Sequence, residues 1–171
     1  TLNGGYGSHT VVGGAGFLLN NEMDDFSVKP GVPNMFGAVG GEANAIEPGK
    51  RMLSSMTPVI ALNNGTLAIV TGTPGGTTIT TSVYQTLLNL IDFNLSPADA
   101  VNKPKFHMQW LPDQVFVEKD FPQDKIEALQ KMGYKVMNRG RIGRTELIVR
   151  QADGSYEVIG DSRGDDSAAG Y

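Results

Sequence analysis

The chain has 171 residues, 40% of them hydrophobic and 19% charged, the composition of a globular domain large enough to bury a core. Its formal net charge of −4 disfavours nucleic acid or an anionic membrane as a partner. The absence of cysteine excludes disulfides and thiolate-bound metals, although an exported enzyme without disulfides would look the same. No apolar run approaches the ~20 residues of a membrane-spanning helix. No signal peptide opens the chain, which is also true of processed or truncated chains.

The first half of the chain alternates short apolar runs with turn residues. Residues 16–19 are predicted to form a strand that ends at an Asn-Asn pair. Residues 29–50 are rich in proline and glycine and have no clean period. A loop of that length in a compact domain usually has a function or is mobile. The runs Met56–Leu62 and Leu67–Thr71 flank Asn-Asn-Gly, which is a strong hairpin signal.

The second half changes to a helical period. Helices are predicted over 79–93, from Ser96-Pro97 as a capped start, and over 123–132. Strands are predicted at 134–137, 146–150 and 156–159. Strands, then helices, then strands indicate a layered α/β or α+β domain over residues 1–171, with mostly antiparallel pairing.

The segment Asn20–Asp25, here called the acid turn, places two amides and three carboxylates within six residues. Carboxylates supply charge and amides supply direction, so the cluster can bind a cationic group. In an arbitrary protein a solvated turn is the more common role of such a cluster. A calcium loop is disfavoured, because the acids do not alternate as they do in an EF-hand.

Two later features fit acyl transfer. The hydroxyls and amides of Ser54 and Ser55 can hold a carboxylate, although a serine pair alone is more often a turn or a cap. The segment Thr73–Thr78, here called the oxyanion loop, runs from a strand into a helix, where the N–H groups of Gly75 and Gly76 can stabilise an oxyanion. It lacks the Gly-Lys-Ser/Thr ending of a P-loop. With the acid turn, these features indicate acyl transfer from an amino-acid amide.

The chain resembles the small subunit of γ-glutamyltransferases over essentially its whole length. The resemblance is carried by TLN, GFLLNNEMDDFS, KPGVPN, GGEANAIEPGKRMLSSMTP, TGTPGG, PKFHMQWLPD and the final DSRGDDSAAGY. It implies an α+β fold, the small-subunit half of an N-terminal-nucleophile hydrolase with an αββα sandwich. In this family a proenzyme cleaves itself, and the threonine exposed by cleavage attacks a γ-glutamyl amide. The γ-glutamyl group then passes to water or to an amino acid or peptide.

The resemblance also implies roles for individual residues. Asp25 pairs with the α-ammonium group of the substrate, and Asn3 and Glu22 complete that polar pocket. Ser54 and Ser55 hydrogen-bond the α-carboxylate. We call Asp25, Ser54 and Ser55 the amino-acid clamp.

Other parts of the site follow from the same resemblance. Gly75 and Gly76 form the oxyanion hole through their backbone N–H groups. Residues 28–50 match the lid over the glutamyl pocket, and Phe36 stands where some relatives have a gating tyrosine. The implied partner is the large subunit of the same proenzyme, and the implied substrates are glutathione, glutamine and amino-acid or peptide acceptors. The resemblance implies neither a metal nor an organic cofactor. By analogy with the family, the protein is expected in the periplasm or outside the cell.

The nucleophile is expected to lie outside this sequence. Thr1 carries a hydroxyl and an amine on one residue, which is the chemistry of an N-terminal nucleophile. The family's small subunit, however, opens with Thr-Thr-His about one hairpin upstream of the Thr-Leu-Asn found here. Thr1 therefore matches a second threonine that supports the nucleophile, and this chain alone is expected to be inactive.

Three functions remain open at this point. The first is a γ-glutamyltransferase or glutathione hydrolase, the second a related acylase such as a cephalosporin acylase or a poly-γ-glutamate processing enzyme. The third is a catalytically dead fragment that binds or assembles. A free amino-acid head needs both of its charges met, so the amino-acid clamp favours the first.

Other polar and aromatic residues have structural interpretations. His107 has apolar neighbours in sequence and is expected to pack or to hydrogen-bond rather than to catalyse. Trp110 and the methionines are expected to fill the core or an interface. Asp165 and Asp166 either form a solvated turn or anchor the tail.

Overall fold

The computed structural model describes residues 2–170, and these fall into two compact units, Thr1–Ser55 and Met56–Tyr171. The first unit has little regular structure. It contains short 3-10 turns at Glu22–Asp25 and Glu42–Asn44. That a single domain covers 1–171 stays a prediction.

The strand predicted at 16–19 is wrong, because the structure has a single β-bridge there, between Leu18 and Val11. Val12 N–H donates to Phe17 O at 2.9 Å, so the backbone does turn back on itself as in a hairpin. Gly14 and Gly16 have φ of 79° and 73°, which is left-handed backbone that cannot continue a ladder. The glycines therefore restrict the pairing to a few residues.

The second unit contains the regular elements. Its strands are β1 (Val59–Asn63), β2 (Thr66–Gly72), β3 (Phe106–His107), β4 (Val115–Val117), β5 (Val136–Asn138), β6 (Glu146–Arg150) and β7 (Tyr156–Ile159). Its helices are α1 (Ile79–Ile91), α2 (Pro97–Asn102) and α3 (Gln123–Lys131). The predicted helices and the strands β1, β2, β5, β6 and β7 are thus confirmed, with small shifts at their ends.

A four-stranded antiparallel sheet has the order β1-β2-β6-β7. The turn between β1 and β2 is tight because Asn64 and Gly65 have φ of 50° and 77°, as a two-residue hairpin turn requires. In the core, Ile69 of β2 and Leu147 of β6 pack with Val101 of α2, and α1 adds apolar residues to the same cluster. One face of the sheet is therefore covered by α1 and α2.

The opposite face of this sheet is apolar and exposed. Ile60 and Leu62 of β1 are 70% and 63% exposed, because they alternate with residues that face the helices. In an αββα sandwich such a face packs against a second sheet.

A second sheet has the order β3-β4-β5. Its strands β3 and β4 were not predicted, because two or three residues are too few to show a period. The pair β4–β5 is parallel and the other strand pairs are antiparallel, which confirms mostly antiparallel pairing.

His107 of β3 has the structural role predicted for it. It is 1% exposed, and its Nδ1 lies 2.8 Å from Thr81 Oγ1. Burial lowers the pKa of His107. Trp110, in contrast, is 73% exposed and does not fill the core, because it sits in a surface turn with a φ of 74°. Met132 is likewise 71% exposed.

Four charged side chains, Lys105, Glu118, Asp161 and Arg163, form the buried charge cluster. Arg163 Nη2 donates to Glu118 Oε2 at 2.6 Å, and Arg163 Nη1 donates to Asp161 Oδ1 at 3.0 Å. Lys105 Nζ lies 4.0 Å from Asp161 Oδ2. Burial opposes the charge on Glu118, but the hydrogen bonds it accepts, first from Arg163, hold its pKa below the usual value. The cluster fixes the C-terminal segment to β4 and to the end of α2.

Of the two predicted roles for Asp165 and Asp166, the structure supports anchoring. Arg144 donates to Asp165 Oδ1 at 2.9 Å and pairs with both carboxylate oxygens of Asp166. No helix among residues 2–170 combines the length and the apolarity needed to cross a membrane.

Candidate functional site

The acid turn is built by its own asparagines. Asn20 Oδ1 accepts from Glu22 N–H at 3.0 Å and so begins the 3-10 turn that holds the acids. Asn21 Oδ1 accepts from Asn3 N–H at 3.1 Å, which brings the predicted pocket residue Asn3 next to this turn. The amides therefore shape the turn, and the carboxylates are its charged groups.

The clamp residues Asp25 and Ser55 are in direct contact. Ser55 Oγ donates to Asp25 Oδ1 at 2.9 Å, although the two residues are 30 positions apart. The predicted ammonium site and the predicted carboxylate site therefore lie side by side. Ser54 and Ser55 are exposed, as groups that meet a ligand must be, and Asp25 is half-buried.

Two carboxyl groups lie close together at this site. Burial, and then the neighbouring Asp25, raise the pKa of Glu22. Glu22 Oε1 is buried and has no hydrogen-bond partner among residues 2–170. A buried carboxylate oxygen without a donor is costly, and a cation placed between the two carboxyls would stabilise both. This arrangement suits an ammonium group.

Residues 28–50, the predicted lid, and the acid turn together line a cavity of about 390 Å³ that is open to solvent on one side. Asp25 and Ser55 line this cavity together with Leu53 and several lid residues. The volume is in the range of small-molecule sites. Among the other predicted residues, Glu22 and Ser54 are not in the cavity wall.

The tip of the lid is organised around Asn34. Its Oδ1 accepts from Phe36 N–H at 2.9 Å and from Ala38 N–H at 3.0 Å. These bonds hold the backbone of Phe36, the residue predicted to stand in the place of a gating tyrosine. The described structure therefore shows an ordered lid tip rather than an irregular loop.

The oxyanion loop belongs to the second unit and leads into α1. Gly75 and Gly76 have φ of 148° and 57°, and a β-carbon on Gly75 would lie 2.4 Å from Thr78 Oγ1. Side chains are thus excluded at Gly75 both by backbone conformation and by space. The two glycine N–H groups stand at the N-terminal end of a helix, where partial positive charge favours an anion.

A neighbouring segment that was not predicted supports the oxyanion loop. Arg144 N–H donates to Thr73 Oγ1 at 2.6 Å, and Thr73 Oγ1 donates to Pro74 O at 2.7 Å. Gly143 has a φ of 73°, and a β-carbon there would lie 2.5 Å from Ser82 Oγ. The available sequence signal was a glycine directly before an arginine, which Gly140-Arg141 shares.

Asn44 was also not singled out. Its side chain contacts the backbone of Asp25 and of Leu53. Nothing in the motif GGEANAIEPG distinguishes it from the chain's other asparagines. Thr1, the predicted supporting threonine, lies outside the described residues. Within residues 2–170, no group of three or more His, Asp or Glu side chains is arranged to hold a metal ion.

Comparison with known proteins decides the family. The model of the gamma-glutamyltranspeptidase family matches residues 1–171. The chain belongs to this family. It is 49% identical over 172 residues to the glutathione hydrolase proenzyme of Escherichia coli (strain K12), covering 100% of this chain and 30% of that protein. The glutathione hydrolase proenzyme of Pseudomonas aeruginosa is 50% identical over 169 residues, with 96% and 30% covered.

A solved structure gives the same result for the fold. A mutant of Helicobacter pylori gamma-glutamyltranspeptidase matches with a TM-score of 0.89 at 48% identity, covering 96% of this chain and 90% of that one. The fold is therefore that of the gamma-glutamyltranspeptidases, the α+β N-terminal-nucleophile hydrolase fold expected from the sequence. The chain spans about 30% of the length of the curated relatives it matches.

Proposed function

We propose that the protein to which this chain belongs cleaves γ-glutamyl amides such as glutathione and transfers the γ-glutamyl group to water, amino acids or peptides. The observation that carries the proposal is the 2.9 Å contact between Asp25 and Ser55 beside the cavity under the lid. An α-amino acid head has an ammonium and a carboxylate on one carbon. A site for it needs an anion and hydroxyl donors next to each other, as they are here.

In this proposal Asp25 and Glu22 receive the ammonium group. Binding of a cation relieves the repulsion between the two carboxyls and gives the buried Glu22 oxygen a donor. Ser54 and Ser55 hold the substrate carboxylate, and the lid covers the glutamyl chain.

Gly75 and Gly76 stabilise the oxyanion of the tetrahedral intermediate, because their N–H groups are fixed before the reaction starts. Thr1 supports the nucleophilic threonine. No metal or organic cofactor takes part in the proposed reaction.

The proposed assembly is a heterodimer with the large subunit of a self-cleaving proenzyme, located in the periplasm or outside the cell. The length of the curated relatives supports a larger protein. The exposed apolar face at Ile60 and Leu62 supports burial of this sheet in a larger structure.

The experiment compares two substrates on the full-length protein. γ-Glutamyl-p-nitroanilide has the free amino-acid head, whereas glutaryl-p-nitroanilide lacks only its ammonium group. We expect kcat/KM to be at least ~100-fold higher for the γ-glutamyl substrate, because an unmatched buried carboxylate costs about 3 kcal/mol or more. Asp25→Asn should remove most of this preference. Equal activity on both substrates would instead identify a related acylase and overturn the proposal.

A further inference from the structure

Asn44 connects three segments of the first unit. Its Nδ2 donates to Asp25 O at 2.7 Å, and its Oδ1 accepts from Leu53 N–H at 3.1 Å. Its backbone O accepts from Ser27 N–H at 2.9 Å. One residue of the lid therefore holds the acid turn, the residue just before the lid and the segment before Ser54.

The orientation of the Asn44 amide follows from its partners. Asp25 O can only accept and Leu53 N–H can only donate, so the nitrogen faces the acid turn and the oxygen faces the serine segment. Asn44 is half-buried, and its own N–H donates to Gly41 O at 3.1 Å, which fixes its backbone in the 3-10 turn Glu42–Asn44. Both ends of the side chain are thus held at set positions.

The two side-chain bonds end directly beside the clamp. One fixes the backbone of Asp25 itself, and the other fixes Leu53, two residues before Ser55. The Ser55–Asp25 hydrogen bond joins the same two segments on their exposed side. When a substrate draws the Ser55 hydroxyl and the Asp25 carboxylate to itself, that exposed link is lost. The Asn44 amide remains to keep the segments in register.

We propose that Asn44 is a positioning residue that sets the separation between the Asp25 carboxylate and the Ser55 hydroxyl, and that it thereby determines selectivity for substrates with a free α-amino acid head. This inference rests on the proposed function. Such a role depends on placement, because a misplaced charge or hydroxyl loses most of its interaction with the substrate.

Two variants separate the contacts. Asn44→Ala removes both side-chain bonds. Asn44→Asp is nearly the same size and keeps the acceptor for Leu53 N–H, but it replaces the donor to Asp25 O with a carboxylate oxygen. The matched control is Asn89→Ala in the second unit, which removes an asparagine bond to the backbone, Nδ2 to Ala100 O at 3.2 Å. All three are made in the full-length protein.

The readout is kcat/KM for γ-glutamyl- and glutaryl-p-nitroanilide, with kcat and KM reported separately. For both Asn44 variants we expect the γ-glutamyl preference to fall ~10-fold or more, mainly through KM, since the loss of one or two hydrogen bonds is of that order. Glutaryl activity should fall by a smaller factor, since that substrate keeps the carboxylate that Ser55 receives but has no ammonium group for Asp25. Asn89→Ala should leave the preference unchanged.

The outcomes are distinguishable. If the unsubstituted protein shows no γ-glutamyl preference, the proposed function itself fails. If it shows the preference and both Asn44 variants keep it, or lose both activities in parallel, only the role of Asn44 is overturned. Failure of both variants to fold, measured by circular dichroism, would assign Asn44 to the fold and would overturn the inference as well.

Discussion

Gly40 is the lid position where one added methyl group should destabilise the lid most clearly. A β-carbon at this residue would lie 2.1 Å from Ser27 Oγ and 2.9 Å from Ser27 Cβ. Ser27 is 8% exposed and its N–H is bonded to Asn44 O, so its backbone cannot move away freely. Gly40 O in turn accepts from Gly31 N–H at 2.8 Å and closes the base of the lid. Gly40→Ala must therefore push two backbone segments apart.

The size of the effect follows from the overlap. A Cβ–Cβ distance of 2.9 Å is well inside ordinary contact, and overpacking of this kind costs about 1–3 kcal/mol. If this energy destabilises the closed lid locally, the opened state becomes more populated by roughly 5- to 150-fold. Amide hydrogen exchange at Gly31 should accelerate by that factor, and kcat/KM for a γ-glutamyl substrate should fall.

Gly41→Ala is the matched control, because a β-carbon on Gly41 meets nothing within 4 Å. Its exchange and activity should remain close to those of the unsubstituted protein. Ser27→Gly combined with Gly40→Ala should recover most of the loss, since it removes both atoms that overlap. If Gly40→Ala behaves like Gly41→Ala, or if Ser27→Gly gives no recovery, then Gly40 is not tightly packed against Ser27 in the protein.

The remaining predictions concern the lid tip and the buried charge cluster. Asn34→Ala removes the acceptor for the amides of Phe36 and Ala38, so both should exchange several-fold faster, whereas Asn34→Asp should keep their protection. Equal exchange in the two variants would contradict this. Burial lowers the pKa of Lys105 from 10.5 to about 8, so between these values the folded chain binds fewer protons than the unfolded chain, and stability should rise with pH. Lys105→Met should remove this rise in the free energy of unfolding, which is worth about 3 kcal/mol at most. The measurement is urea unfolding of both proteins at about pH 7.5 and about pH 10. The same pH dependence in both proteins would contradict the role given to Lys105.

Where the sequence predicted structure well, a local signal was strong. The apolar stripe of α1 and the Ser96 cap of α2 each depend on residues that lie within one or two helical turns of one another. The β1–β2 hairpin follows from Asn64-Gly65, whose left-handed backbone few other pairs adopt. The strands β3 and β4 could not be predicted, because runs of two or three residues show no period.

The candidate site likewise has features that the sequence predicted and features that it did not. Motif resemblance was enough to name Asp25, Ser54, Ser55, Gly75 and Gly76, and the acid turn and the oxyanion loop form where their sequences place them. The resemblance did not indicate which groups hold these residues. Asn44 has no distinguishing neighbour in sequence, and only its hydrogen bonds show its position between the two halves of the clamp.

The sequence by itself thus determined the family, the helices, the main hairpin and the chemical groups of the clamp, because each depends on short segments of chain. Only the tertiary structure decided that Asp25 and Ser55 touch, that Glu22 has a buried oxygen with no partner among residues 2–170, and that Gly40 lies against Ser27. These contacts join residues far apart in sequence, and their geometry is set by how the lid folds back on the acid turn. Hydrogen bonds and close packing act over a few ångströms in space, and that distance has no counterpart in the spacing of residues along the chain.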